Sequence, residues 1–109
     1  MSQVVITRGP LDGQKLSKTI TDAGKIEKLL ARAEAMPAPT SSKKVKWTHD
    51  VDVMTVQLPK PVGVFTDGVV EVWGEGTLRV PGETSYSFYP SSDQTAKLAS
   101  DVGELWNSA

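Results

Sequence analysis

Cysteine is absent from the 109 residues. That excludes disulfides, thiolate metal sites and cysteine nucleophiles. Histidine occurs once, at His49, so imidazole chemistry has a single candidate. No apolar run reaches the roughly 18 residues a membrane-spanning helix needs, so no span is expected. The opening stretch, MSQVVITRG, lacks a basic segment followed by an apolar one, and no signal peptide is expected. These absences read as a cytoplasmic protein, including a phage product made in its host's cytoplasm. Catalytic signatures are missing as well. Ser85 and Ser87 lie outside any G-x-S-x-G elbow, and no Gly-Lys-Ser/Thr follows a glycine loop.

What is present is ordinary globular usage, with 39% hydrophobic and 23% charged residues. The length suits one domain with a single small core, residues 1–109. The net charge of -1 hides an asymmetry. Met1 to Thr48 holds nine bases against four acids, a net of +5. His49 to Ala109 holds three bases against nine acids, a net of -6. Either the surface is polarised and steers a charged partner, or the two halves interleave and largely cancel.

Periodicity sets out the elements. QVVITR (Gln3 to Arg8) and QKLSKTIT have strand patterning and flank turn signals, so they predict a hairpin with a wide loop. TDAGKIEKLLARAEAMP predicts a helix over about 22–36. Asp22 is its N-cap, and Ile26, Leu29, Leu30 and Ala33 form its apolar stripe. Pro37 stops it. PAPTSSKK, residues 37–44, is expected to be an exposed loop rich in proline, serine and threonine.

KVKWTHDVDVMTVQLP predicts one long strand or two short ones. Its apolar parity switches from Val45, Trp47, His49, Val51 and Val53 to Met54, Val56 and Leu58. A bulge near Asp52 to Met54 would account for the switch. A meander of VGVFT, VVEVW, TLRV and TSYSFY follows, with turns at Asp67-Gly68, Gly74-Glu75-Gly76 and Pro81-Gly82. A final helix spans about 92–106. Ser91 and Gln94 are its capping box, and Leu98, Val102, Leu105 and Trp106 are its stripe. The class is α+β: a mainly antiparallel meander sheet with both helices on one face.

Gly74-Glu75-Gly76 resembles a phosphate loop only at first sight. The third fingerprint position is Arg79, and a strand-like stretch follows where a pyrophosphate needs a helix N-terminus. The glycines read as turn residues, with Arg79 pairing to Glu71 across the hairpin.

Three functional readings remain. The first is a small non-enzymatic interaction module: an accessory, inhibitor or assembly protein of bacterial or phage type. It would bind a protein partner through an exposed sheet face or edge. Trp73, Arg79, Tyr86 and Phe88 are its candidate partner-binding residues, because aromatics and arginine anchor interfaces. In this reading there is no catalytic residue, metal or cofactor, and a homo-oligomer closed at a sheet edge stays open. The second is a small-ligand or metal-dependent enzyme centred on His49, Asp50 and Asp52. Alternation along a strand would turn His49 away from both carboxylates, so this requires the irregularity to bring them together. The third is nucleic-acid binding through the basic N-terminal half, from the first helix to Lys43, Lys44 and Lys46. The slightly acidic chain and the lack of a recognition motif count against it.

Overall fold

The computed structural model describes residues 3–38, 41–74, 76–81 and 87–108. The first hairpin is β1 (Val4–Pro10) and β2 (Leu16–Ile20), in register from Val4 opposite Ile20 to Arg8 opposite Leu16. Helix α1 (Ala23–Glu34) follows, and the Asp22 carboxylate accepts the Lys25 N–H at 3.0 Å. Then come β3 (Lys43–Lys44), β4 (Asp52–Gln57), β5 (Val69–Trp73), β6 (Thr77–Leu78), β7 (Ser87–Phe88) and helix α2 (Asp93–Ser108). The main sheet is antiparallel, in the order β2-β1-β4-β5-β6. β3 and β7 make a second, two-stranded sheet. The α+β class is as expected.

Both helices cover one face of the main sheet. Ile26, Leu29 and Ala33 of α1 and Leu98, Val102, Leu105 and Trp106 of α2 bury against Val4, Ile6, Val56, Val70 and Val72. Alternation places the odd-numbered residues of β1 and β2 on the opposite face.

That opposite face is not uniformly open. Phe88 is bridged to Arg79, and the Val80 and Tyr89 N–H groups donate to Ser87 O and Leu78 O, both at 2.9 Å. Backbone pairing therefore continues beyond β6 to β7, and from β7 to β3. Val51, Val53, Trp73 and Phe88 are buried there as a second core, with Leu11, Val45 and Trp47 packed against them.

The second core explains the parity switch. β4 pairs without interruption on both sides, so there is no bulge within it. Val51 and Val53 face the second core, while Val56 and Leu58 face the first. A strand buried on both faces loses simple alternation. The long-strand alternative is also corrected: residues 45–51 are irregular and separate β3 from β4.

Other boundaries moved. VGVFT is not a strand; Val62 and Phe65 exchange backbone hydrogen bonds of 2.9 and 3.1 Å within the β4–β5 connection. The second helix's capping box sits one residue later than expected. The Ser92 N–H donates to Thr95 Oγ1 at 3.0 Å, and the Thr95 N–H to Ser92 Oγ at 3.3 Å. In the 37–44 stretch, Pro37, Ala38, Ser41 and Ser42 are exposed, but Lys43 and Lys44 form β3.

The glycine stretch is a turn. Gly74 and Gly76 have φ of 60° and 91°, and Trp73 pairs with Thr77 across them. Strand β6 follows. A Cβ on Gly74 would stand 2.8 Å from the Trp47 ring, so glycine also lets that ring close over the second core.

Gly103 is different. It lies inside α2, and an added Cβ would meet nothing within 4 Å. Gly103→Ala should stabilise the protein by about 1 kcal/mol through helix propensity alone. Urea denaturation followed by circular dichroism checks this; an unchanged midpoint would contradict it.

Tyr89 gives a pH dependence. It is buried, and its hydroxyl donates to Pro37 O at 3.1 Å. Burial pushes its phenol pKa up. The folded state thus prefers the neutral phenol. Its contribution to stability is complete below the unfolded pKa of about 10 and is lost as pH rises through the higher folded value. Tyr89→Phe should flatten that alkaline loss in unfolding curves recorded across the range.

Candidate functional site

Three of the four candidate partner-binding residues have a described place. Trp73 and Phe88 are 2% and 0% exposed, so neither of these two rings lies on the expected open face. Their rings, with Trp47, form a mutual cluster. Phe88 meets Trp47 and Trp73 edge-on, at centroid distances of 5.6 and 5.5 Å. The correction has a simple physical cause. The chain folds its own β3–β7 ribbon over these side chains, and a small domain needs its large rings inside.

Arg79 is half-buried, and its guanidinium Nη1 donates to Glu71 Oε2 at 3.0 Å, the pairing expected across the hairpin. Glu71 Oε1 accepts from Trp73 Nε1 at 3.3 Å. Arg79 thus belongs to a chain that fastens β6 to β5. Tyr86 lies outside the described residues.

His49, Asp50 and Asp52 are each engaged elsewhere. His49 Nδ1 lies 2.6 Å from Asp12 Oδ2. Asp50 accepts from the Thr48 hydroxyl, which holds its carboxyl below its ordinary pKa. Asp52 pairs with Arg8 at 2.8 Å. The convergence that the enzyme reading requires is therefore not formed. Among the described residues, no three histidine, aspartate or glutamate side chains gather in a way that could hold a metal ion.

The basic half of the sequence is dispersed. Lys28 and Arg32 turn to Asp101, at 3.8 and 3.0 Å. Lys25 donates to Ser108 Oγ at 3.3 Å, and Arg8 meets Asp52. Bases of the first half thus meet acids of the second, the interleaving alternative. No helix among the described residues is long and apolar enough to cross a membrane.

The open surface lies at the other end of the sheet. β2 is an edge: among the described residues no strand pairs with its outer side. It is the longest strand left with a free side, at five residues against two for β3. Leu16 opens it and is 71% exposed, the exposed large hydrophobic among the described residues. Ser17 and Thr19 are exposed on the face away from the helices, and Ser17 Oγ lies 3.2 Å from Thr7 Oγ1.

Lysines frame this edge. Lys15 precedes the strand, and its ammonium donates to Leu11 O at 3.2 Å. Lys18 sits at mid-strand. Its ammonium donates to Trp106 O at 2.9 Å and lies 4.5 Å from that indole's centroid. It thereby caps the last turn of α2, where carbonyls gather negative potential, and adds a cation–π contact. No acidic residue occurs within β2.

Sequence reasoning found β2 but not its position. Strand composition does not reveal which strand ends a sheet. The legible signal was Leu16 beside Lys15 and Lys18, an apolar residue between charges of a kind that guards sheet edges.

Comparison with protein-family models, with curated proteins and with solved structures finds no match to this chain.

Proposed function

We propose that the protein is a small non-enzymatic interaction module that binds a protein partner by strand addition at β2. The observation that supports this reading is the free β2 edge, with Leu16 exposed at its start. An extended segment laid along β2 would satisfy its outward backbone N–H and C=O groups. Pockets or contacts for alternate side chains would supply selectivity. Leu16 offers apolar contact. Lys15 and Lys18 favour a segment that carries acidic side chains.

The same lysines argue against a second copy as occupant. A two-fold antiparallel pairing centred on the strand would set one Lys18 opposite the other, and like charges in that position destabilise. The protein alone is therefore expected to scatter light as a monomer.

A photo-crosslinking amino acid placed at Ser17 tests the reading. A discrete adduct with one protein of the source cell is expected there, and none from the same group at Glu34 on α1. Leu16→Asp, on a surface position that leaves the fold intact, should abolish the Ser17 adduct. Equal labelling from both positions, or a Ser17 adduct that survives Leu16→Asp, would refute β2 as the binding edge.

A further inference from the structure

A concavity of about 400 Å³ opens beside the second core, against the loop that joins β1 to β2. Its apolar wall is Leu11, Val45, Trp47 and Trp73, and its polar rim is Asp12, Lys46 and His49. That volume and mixture of lining suit a small organic ligand, whose body packs on apolar wall while a few polar groups fix its orientation. Trp73 is covered, so the half-exposed indole of Trp47 is the ring that a ligand can touch.

The rim is held together by the backbone. The Leu11 N–H donates to Val51 O at 3.0 Å, and the Asp12 N–H donates to His49 O at 3.2 Å. These bonds set the Asp12 carboxylate against His49 Nδ1 at 2.6 Å. A carboxylate accepts, so Nδ1 carries a proton. In the neutral imidazole, Nε2 is then left as an acceptor. Lys46 is exposed, and among the described residues no carboxylate pairs with it. Asp12 is occupied by His49, so Lys46 is the rim cation left to meet an anion.

We propose that this concavity binds a small hydroxy-aromatic acid. The ring lies against Trp47, the carboxylate meets the Lys46 ammonium, and the hydroxyl donates to His49 Nε2. The proposal is independent of strand addition at β2. It replaces a cluster of His49, Asp50 and Asp52 with one of His49, Lys46 and Trp47, oriented by Asp12.

The test uses 4-hydroxybenzoate as probe and the full chain, observed by NMR. His49 is the sole histidine, so its ring signals need no assignment. Saturable shifts of the His49 imidazole and the Trp47 indole are expected below about 10 mM, the weak end of specific binding. Benzoate, which lacks the hydroxyl, should bind about tenfold more weakly. Lys46→Glu should remove binding of both. His49 is 91% exposed at its side chain, so His49→Ala leaves the fold intact. It should erase the preference for the hydroxylated acid. Absence of saturable shifts, equal affinity in Lys46→Glu, or a hydroxyl preference that persists in His49→Ala would each overturn the proposal.

Discussion

Phe88→Ala is expected to lower the unfolding free energy by about 3–5 kcal/mol, the usual cost of removing a fully buried aromatic ring. Phe88 is 0% exposed and touches both tryptophans of the second core. Its loss leaves a cavity between Trp47 and Trp73, whose centroids are 6.1 Å apart, and uncouples β7 from the sheet it caps. Small domains have about 5–15 kcal/mol in total, so the variant should be near the limit of folding. Urea denaturation by tryptophan fluorescence reads the change. A surface aromatic would give a loss within about 0.5 kcal/mol, and that result would mean the second core is not formed.

Phe65→Ala should cost a similar amount, about 3–5 kcal/mol, although the residue belongs to a connection and not to a strand. Connections usually run over the surface and tolerate change. This one does not. Phe65 is 1% exposed and belongs to the first core, and Val62 beside it is also buried. The Val62 and Phe65 backbones hydrogen-bond each other, and the Gly68 N–H donates to Phe65 O at 3.0 Å. The turn thus plugs the core with its ring while satisfying its own backbone. Thermal unfolding of Phe65→Ala beside Phe65→Leu separates ring volume from turn geometry. Loss in alanine with partial recovery in leucine is expected. No loss in either would show that the turn is an ordinary surface loop.

These two phenylalanines mark where sequence stopped being informative. Helix periods were plain, because one apolar stripe faced one core. Ile26, Leu29 and Ala33 are buried as their spacing requires, and so are Leu98, Val102 and Leu105. Hairpin signals were plain for β1 and β2. The stretch from Val45 to Leu58 was harder, because its apolar residues serve two cores and parity alone cannot name both. A bulge and a second covered face give the same pattern. VGVFT failed for a related reason. Its buried Val62 and Phe65 have strand-like composition, yet they fill the core from a turn. The capping box shifted by one residue because Ser91 and Ser92 both offer an N-cap hydroxyl, and only the geometry selects Ser92.

The site was legible in part. A free sheet edge follows from the strand patterning, but of the four candidate residues Trp73, Arg79 and Phe88 serve the fold's own packing and pairing, and Tyr86 lies outside the described residues. Strand order decides which edge is free, and strand order depends on contacts remote in sequence, such as β1 beside β4. The charge asymmetry was legible as a number but not as a surface. Asp101 draws Lys28 and Arg32, and Asp52 draws Arg8, so three of the nine first-half bases pair with second-half acids across the surface. Near β2, the Lys15 ammonium donates to Leu11 O and the Lys18 ammonium to Trp106 O.

Amide hydrogen exchange along β2, in the free protein and in the complex captured at Ser17, tests strand addition most directly. Outward amides of an edge strand exchange freely, and pairing with an added strand protects them. Slowing of about tenfold or more within Leu16–Ile20 is expected on binding, with α1 unchanged. Protection confined to the helices or to the 45–51 segment, with β2 exchanging as before, would contradict it.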